Sequence, residues 1–393
     1  MSTIPEIPGH PIDFEADHAL IEKLYTIAKA DERRKQVVVK TYVVHNKPLS
    51  PLTSWNMRES VYKKKNPEFP TKARGLFTVG DKGKYKVVVR GYDKFFNVGE
   101  TAETQWSSIE KETEGPFEVT VKENGCIIFI AAISENEIVV TSKHSIPDPQ
   151  DDPAAHAGVG YTWLLKHLSS AGRTLNELTQ WLHAKNITLV AELCDDAFEE
   201  HVLAYEPKES GLYLHGINYN TGVLHTLPIE TVRCVATYFG FHPIDYVKLD
   251  TLQQVRTLAE ETRESGEYRG RLIEGIVVRC KRKNTDFFFK IKNDKYLLYR
   301  EWREATKALI DAKDGAVKLK PNMQPKVFYE KSKYYVLWLR ERLKDHPEWF
   351  KDYKQNKGII DVRRRFEEFY ENGDLGSLKG DPNNVVKLVQ KTF

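Results

Sequence analysis

The chain has 393 residues, of which 40% are hydrophobic and 29% charged, and its formal net charge at pH 7 is only +3. These proportions exclude a fibre and a disordered chain and indicate a folded globular protein long enough for about two domains. No apolar run reaches the roughly 18 residues of a membrane-spanning helix, and the polar start does not resemble a secretory signal. We therefore expect an intracellular protein, in the cytoplasm, the nucleus or both, whose four cysteines are reduced core thiols.

In chain order, the predicted helices cover residues 13–33, 161–185 with a break near Gly172, 231–239 and 251–264. The predicted strands, rich in Val, Ile and Phe, cover residues 36–45, 87–90, 117–122, 126–133, 137–142, 187–193, 211–217, 272–279 and 286–292. After Lys292 the pattern is helical almost to the end. The sequence therefore predicts an α+β domain followed by a small all-helical C-terminal domain.

Charge is distributed unevenly between these two regions. Residues 301–393 carry 20 Lys and Arg against 15 Asp and Glu, whereas residues 1–300 carry 39 against 41. A basic C-terminal part is compatible with a polyanionic partner, although a solvated helical surface is the more common reason for such an excess.

The tetrapeptide Lys122-Glu123-Asn124-Gly125 stands between two predicted strands. Asn-Gly is typical of a tight turn, so the amine of Lys122 would stand at a strand end, at the mouth of a pocket. A lysine amine is protonated at neutral pH unless burial or nearby cations lower its pKa, and only the neutral amine is a nucleophile. Taken by itself, the tetrapeptide is more often a surface hairpin with a solvated lysine.

Three further signals come after the tetrapeptide. Glu192 stands alone in an apolar strand, and Glu274 opens the apolar run EGIVVR. Lys290 and Lys292 alternate along a strand and so share one face. A carboxylate in a half-buried strand is costly unless it binds something, although each residue alone also fits an ordinary salt bridge at a strand end. The four signals in this order seldom arise by chance.

This order resembles motifs I, III, IV and V of the covalent nucleotidyltransferases, the superfamily of polynucleotide ligases and capping enzymes. Four longer segments resemble the phage-type RNA ligases more narrowly: ARGLFT (73–78), YDKFFNVGE (92–100), TSKHS (141–145) and ELCDDAFEEHVLAY (192–205). The similarity covers nearly the whole chain and is greatest to the ligase domain of fungal tRNA ligases. It implies a nucleotidyltransferase domain at 1–295, with ATP-grasp-like antiparallel sheets flanked by helices, and a helical domain at 296–393 that recognises RNA ends.

The resemblance implies that Lys122 attacks the α-phosphorus of ATP and becomes covalently bonded to AMP. Arg74 and Lys94 would hold the β- and γ-phosphates and orient pyrophosphate as the leaving group, and Lys143 would lie near the nucleotide. Fixed cations stabilise the negative charge that develops on non-bridging oxygens. They would also lower the pKa of the Lys122 amine, because protonation would add another like charge.

The resemblance also assigns the remaining site residues. Glu192 would bind the ribose hydroxyls, and Glu274 would position Mg²⁺ (or Mn²⁺) or its waters. Lys290 and Lys292 would stabilise charge on the α-phosphate, and Tyr296, expected on the turn after the lysine pair, would help to shape the site. ATP and a divalent cation are therefore the expected cofactors.

Fungal tRNA ligases join an RNA end with a 2′-phosphate and a 3′-hydroxyl to a 5′-phosphate end, so tRNA exon halves are the expected partner. The ends of a spliced messenger RNA are an alternative substrate that the sequence leaves open. Arg300 and Arg303 stand three apart on a predicted helix, where two guanidiniums can clamp the extra phosphate. Ordinary pairing with Glu301 or Glu304 fits the same spacing equally well. The run at 363–365 could contact RNA backbone, although a solvated helix face is more common.

Two alternatives remain open at this point. A DNA ligase or a capping-type nucleotidyltransferase shares the core motifs, and a non-catalytic RNA-binding protein on the same fold belongs to another class. The sequence contains no GxxxxGK[ST] phosphate loop and no pair of HxT motifs. We therefore expect kinase and cyclic phosphodiesterase domains elsewhere in a full-length protein, and we expect this chain to be a monomer that binds RNA and no membrane.

Overall fold

The computed structural model describes residues 3–30, 36–43, 51–63, 69–80, 84–146, 152, 154–313 and 327–385. Its helices are α1 (Phe14–Ala30), α2 (Glu59–Lys63), α3 (Trp106–Glu112), α4 (His156–Ser170), α5 (Leu175–Lys185), α6 (Ile229–Phe239), α7 (Leu252–Ser265), α8 (Asp294–Lys313), α9 (Glu330–Asp345) and α10 (Ile359–Glu371). Its strands are β1 (Val37–Tyr42), β2 (Leu52–Met57), β3 (Ala73–Val79), β4 (Lys86–Asp93), β5 (Phe96–Asn97), β6 (Thr113–Lys122), β7 (Cys126–Ser134), β8 (Glu137–Ser142), β9 (Ile187–Cys194), β10 (Gly211–Tyr219), β11 (His242–Pro243), β12 (Tyr246–Leu249), β13 (Glu267–Tyr268), β14 (Arg271–Leu272), β15 (Gly275–Arg282) and β16 (Thr285–Lys292).

The chain divides into two compact units. Unit 1 comprises Met1–Cys194, Ser210–Thr257 and Ile276–Ile291, and unit 2 comprises Asp195–Glu209, Leu258–Gly275 and Lys292–Phe393. Unit 2 thus combines the C-terminal helices with two segments from earlier in the chain. The boundary predicted between residues 295 and 296 stays a prediction.

Unit 1 is built from antiparallel sheets. Over the described ranges, the strand orders are β1-β2-β3-β4, β11-β10-β9-β7-β8 and β12-β6-β15-β16-β5. Pairing is antiparallel from β1 to β4 and from β10 through β9 and β7 to β8, while β11 and β5 pair in parallel with their neighbours. The predicted α+β class with antiparallel sheets is confirmed.

The core of unit 1 fixes the strands whose ends carry the motif residues. Phe129 of β7 is fully buried in one cluster with Phe77 of β3 and Val89 of β4. Trp55 of β2 is fully buried in a second cluster with Ile21 of α1. Burying a large apolar side chain contributes roughly 1.5–3 kcal/mol, so these strands are held firmly against one another.

Most predicted elements are confirmed, and their exceptions are informative. The helical stretch over 161–185 is broken at Gly172 as expected, into α4 and α5. The single strand predicted over 272–279 is wrong, because β14 ends at Leu272 and β15 begins at Gly275. Glu274 lies at this break and is buried. The ends of the predicted helix over 13–33 and strand over 36–45, residues 31–33 and 44–45, lie outside the described residues.

The helices of unit 2 pack around an aromatic core. Trp302 of α8 stacks on Tyr335 of α9 with ring centroids 4.9 Å apart. Phe366 of α10 meets both rings edge-on, at 4.9 Å and 5.0 Å. All three residues are buried, and such aromatic pairs contribute roughly 0.5–1.5 kcal/mol each beyond the area they bury.

The segment Asp195–Glu209 is part of this unit because its carboxylates hold α10. Both carboxylate oxygens of Glu200 accept backbone N–H groups at the start of α10, from Gly358 at 3.0 Å and Ile360 at 2.9 Å. A carboxylate there satisfies unpaired N–H groups and complements the helix dipole. Glu199 accepts the side-chain amide of Asn356 at 2.9 Å.

The arginine run at 363–365 does not present one continuous face. Arg363 is buried, stacks on Tyr299 with its guanidinium carbon 4.4 Å from the ring centroid, and donates to the carbonyl of Val202. Arg365 is exposed and pairs with Asp361 at 2.7 Å. The expectation that the run as a whole faces RNA or solvent is therefore wrong for Arg363, which holds unit 2 together.

The structure bears on two expectations stated for the whole chain, one about membrane-spanning helices and one about the cysteines. Among the described helices, none has both the length and the apolar composition that crossing a membrane requires. Cys194 and Cys280 are buried, whereas Cys234 is exposed. The expectation of four core thiols is therefore wrong for Cys234.

Candidate active site

Lys122 is the last residue of β6, at a point where the chain passes from one sheet to another. β6 pairs with β12 and β15, whereas β7, which begins at Cys126, pairs with β8 and β9. The expected hairpin turn at Asn124-Gly125 is therefore wrong. Glu123 and Asn124 are buried in the crossing, Lys122 itself is half-buried, and its Nζ donates to the Glu123 carbonyl at 3.4 Å.

Gly125 is held tightly against β9. Its N–H donates to Oε1 of Glu192 at 3.2 Å. A Cβ at this position would lie 2.1 Å from the carbonyl oxygen of Leu193, so no side chain fits there. This close approach is the physical reason for glycine at the end of the KxxG motif. The hydrogen bond ties the crossing that carries Lys122 to the strand that carries Glu192.

His215 of β10 extends this group. Its Nε2 lies 3.8 Å from Oε2 of Glu192, and the hydroxyl of Tyr92 lies 3.1 Å from its Nδ1. Burial lowers the pKa of His215 to about 3, and the charges of Lys122 and Arg279 act in the same direction. The imidazole is therefore neutral at neutral pH, and Lys122, Glu192 and His215 form one electrostatically connected group.

Three of the predicted nucleotide-binding cations meet at a carboxylate that the sequence does not single out. Glu59 of α2 lies 3.0 Å from Nη2 of Arg74, 2.9 Å from Nζ of Lys94 and 3.8 Å from Nζ of Lys143. Arg74 is on β3, Lys94 follows β4 and Lys143 follows β8. We call these four residues the Glu59 cluster.

The three cations of the Glu59 cluster outnumber its one carboxylate and create a positive electrostatic potential. Burial lowers the pKa of Lys143 to about 8, and the charges of Arg74 and Lys94 act in the same direction, against the opposing effect of Glu59. Burial acts to raise the pKa of Glu59, but the Lys94 hydrogen bond and the three cations outweigh it and lower that pKa overall. Glu59 is therefore ionised at neutral pH and compensates one of the three positive charges.

Strands β3 and β4 connect the Glu59 cluster to the group around Lys122. Arg74 stands opposite Tyr92 in their antiparallel register. Gly75, the next residue of the ARGLFT segment, has φ of +84°, and a Cβ there would lie 2.2 Å from the ring of Phe129. Only glycine combines that backbone conformation with that contact. The motif glycine therefore fixes the strand that aims Arg74.

Lys290 belongs to unit 1, as Lys122 does. It lies on β16, where its Nζ is 5.2 Å from the ring centroid of Phe95 and its carbonyl accepts the N–H of Val98 at 3.0 Å. Its expected role at the α-phosphate stays a prediction.

Unit 2 brings together three other predicted residues. Lys292 forms an ion pair with Glu274, with Nζ 2.7 Å from Oε1, and Glu274 is buried. The same Nζ lies 4.9 Å from the ring centroid of Tyr296. Tyr296 is in the first turn of α8, so its expected place on a turn is wrong. A carboxylate oxygen is the ligand type that Mg²⁺ and Mn²⁺ prefer, so the donor chemistry of Glu274 fits a divalent cation.

The two arginines predicted to bind phosphate lie on α8, three residues apart. Arg303 pairs with Glu304, with Nη2 2.9 Å from Oε1, as the surface-pairing alternative expects. Glu301 is buried and instead accepts two backbone N–H groups at the start of α9. The guanidinium carbon of Arg300 lies 6.0 Å from the ring centroid of Tyr296.

Sequence reasoning missed three residues of the candidate site. Tyr92 directly precedes the DKFFN segment, and that position was the available signal for it. His215 alternates with buried residues in β10 and gave no signal of its own. Glu59 stands in a polar stretch without periodicity.

A lysine at a crossing between antiparallel sheets, a carboxylate tied to that crossing, and a cluster of cations on adjoining strands together define a nucleotidyltransferase-type domain. A family model described as RNA ligase matches residues 72–298, which is more than half of the chain. The chain belongs to this RNA ligase family.

Two curated relatives are similar over most of the chain. It is 41% identical over 309 residues to tRNA ligase 1 of Schizosaccharomyces pombe, which covers 76% of this chain and 38% of that protein. It is 38% identical over 373 residues to tRNA ligase of Candida albicans, which covers 88% of this chain and 44% of that protein. The chain thus spans less than half the length of these relatives.

A solved structure shares the fold. An archaeal ATP-dependent RNA ligase is 13% identical to this chain and superposes with a TM-score of 0.51, over 89% of this chain and 80% of that one. At this identity, the likeness concerns the fold alone.

Proposed function

We propose that this chain is an ATP-dependent RNA ligase that joins an RNA end bearing a 2′-phosphate and a 3′-hydroxyl to an end bearing a 5′-phosphate. Its RNA would be the exon halves of a tRNA, as the names of the curated relatives suggest. The observation that carries the proposal is the position of Lys122, half-buried at the sheet crossing and connected to Glu192 through Gly125.

The first step would form a bond between Lys122 and AMP. The lone pair of neutral Nζ attacks the α-phosphorus of ATP, Nζ loses a proton, and the bond to the β-phosphate oxygen breaks to release pyrophosphate. Arg74 and Lys94 would hold that leaving group, because fixed cations stabilise it without reorganising during the reaction. Lys143 would lie near the nucleotide. Glu192 would accept hydrogen bonds from the ribose hydroxyls.

The second and third steps would use RNA. An oxygen of the 5′-phosphate attacks the α-phosphorus, and the bond to Nζ of Lys122 breaks, so AMP passes to the RNA. The 3′-hydroxyl of the other end then attacks the 5′-phosphorus, loses its proton and releases AMP. Arg300 and Arg303 would hold the 2′-phosphate through charge-assisted hydrogen bonds.

Glu274 has the chemistry to hold Mg²⁺ or Mn²⁺, or waters bound to it. Such a cation would supply neutralising charge at phosphate oxygens. Lys292 is paired with Glu274 and so brings a positive charge to that buried carboxylate.

The decisive experiment is the intact mass of the purified chain after incubation with ATP and Mg²⁺. The parent should gain the mass of one AMP, and Lys122→Ala should gain none. Lys248→Ala is the matched control, because Lys248 is an exposed strand lysine on β12, the strand paired with β6. An AMP adduct on Lys122→Ala would overturn the assignment, and labelling by GTP instead of ATP would favour a capping-type enzyme.

A further inference from the structure

Glu59 occupies the place where the proposed reaction requires phosphate oxygens. Its carboxylate is paired with Arg74 and Lys94 and lies within ion-pair distance of Lys143. These are the three cations that the proposed function assigns to the ATP tail and the nucleotide. A carboxylate and a polyphosphate carry the same sign of charge, so the two compete for the same donors.

We propose that Glu59 is a displaceable internal counter-ion. It holds Arg74, Lys94 and Lys143 together in the nucleotide-free protein, and the β- and γ-phosphates of ATP take its place. The identity of the displacing ligand rests on the proposed function, whereas the competition with a polyphosphate anion does not.

The exposure of the four side chains fits an exchange in which only Glu59 moves. The side chains of the three cations are 11% exposed for Lys94, 30% for Arg74 and 35% for Lys143, whereas that of Glu59 is 54% exposed. The cations are anchored by strands β3, β4 and β8, while Glu59 is carried by a helix of five residues. The carboxylate therefore has a direct path into solvent, and the cations keep their positions.

Glu59 would act both before ATP binds and after pyrophosphate has formed. Before ATP arrives, Glu59 offsets the mutual repulsion of the three neighbouring cations. After pyrophosphate has formed, Glu59 competes for its partners again and so favours release of the product. Removing the carboxylate should therefore strengthen binding of a polyphosphate.

Binding of inorganic pyrophosphate, measured by titration calorimetry in EDTA, tests this competition in the full chain without ATP, RNA or metal. Glu59→Gln should bind pyrophosphate about 3- to 10-fold more tightly than the parent, the size expected from losing a partly exposed ion-pair network. Glu103→Gln is the matched control: Glu103 bridges two cations, Lys72 at 3.3 Å and Arg282 at 3.4 Å, and is similarly exposed at 42%. It should bind pyrophosphate as the parent does.

Three results would overturn the inference. Weaker binding by Glu59→Gln would make Glu59 a residue that helps to hold the anion, equal binding would mean no competition, and no binding by either protein would mean no polyphosphate site. Melting temperatures of both variants within a degree or two of the parent would show that each is folded. If the parent gains no AMP while Glu59→Gln still binds pyrophosphate more tightly, the ligase proposal fails and the counter-ion remains.

Discussion

Replacing Gly125 by alanine probes the crossing between sheets on which the placement of Lys122 depends. The added Cβ would lie 2.1 Å from the carbonyl oxygen of Leu193 and 2.9 Å from Sγ of Cys194. The crossing must therefore move by more than about 1 Å to reach ordinary contact distance, about 3.5 Å. That movement lengthens the 3.2 Å hydrogen bond between Gly125 and Glu192 beyond hydrogen-bonding range and displaces Lys122 with it.

A misplacement of about 1 Å costs on the order of 100-fold in the rate of a positioned reaction. The same overpacking costs about 1–3 kcal/mol of stability, which lowers the melting temperature by several degrees. We therefore expect Gly125→Ala to attach AMP about 100-fold more slowly than the parent, as followed by intact mass against time at a temperature where both are folded.

Gly9→Ala is the control, because a Cβ at Gly9 meets nothing within 4 Å and its backbone conformation is an ordinary one. It should leave both the rate and the melting temperature unchanged. If Gly125→Ala has the rate and melting temperature of the parent, the packing of the crossing against β9 is refuted.

Three other sets of substitutions have definite expected outcomes. Arg300→Ala and Arg303→Ala should each lower the preference for sealing 2′-phosphate over 2′-hydroxyl ends by about tenfold or more, the contribution of a charged hydrogen bond. Arg364→Ala, at an exposed arginine, is the control and should keep the preference of the parent. An unchanged preference in Arg300→Ala and Arg303→Ala contradicts the clamp. Burial lowers the pKa of Lys143 to about 8, so Lys143 loses its charge between pH 7 and pH 9 and pyrophosphate binding should weaken over that range. Lys143→Arg stays charged, so its affinity for pyrophosphate should depend less on pH. The same change of affinity with pH in both proteins argues against Lys143 as a phosphate ligand. Burial raises the pKa of Asp196 to about 6, so its ionisation costs stability as the pH rises from about 4 through 6. Asp196→Asn keeps an acceptor for the N–H of Tyr205 and should be about 1 kcal/mol more stable than the parent at pH 7.5 but not at pH 4, by thermal unfolding, once the partial exposure of Asp196 is allowed for.

The strands and the site residues they carry could be predicted because each has a strong local signal. Val, Ile and Phe alternate or run together in β7, β9 and β16, and a lone Glu192 within such a run is conspicuous. The family resemblance then identified Arg74, Lys94 and Lys143 from short segments, and the structure brings these three together. Their convergence depends on the sheet order, which local pattern does not contain.

The wrong and missing predictions also arise because tertiary structure decides where these residues lie. Asn124-Gly125 has the composition of a hairpin turn, but the strands on either side pair with other partners, and tertiary pairing decides which structure forms. Glu59 is a half-exposed carboxylate whose three partners are 15, 35 and 84 positions away in the chain. Arg363 belongs to a run that looks like a solvated face, and its burial becomes evident only when the segment containing Val202 packs against it.

The segment ELCDDAFEEHVLAY serves two parts of the molecule with one continuous stretch of chain. Glu192 accepts the N–H of Gly125 at the sheet crossing of unit 1, and eight residues later Glu200 caps a helix of unit 2. A truncation at residue 295 would remove α10 and leave the carboxylates of Glu199 and Glu200 without the groups they bind. The C-terminal helices are therefore not a detachable module, and deletions intended to isolate a minimal catalytic core should retain them through at least residue 371.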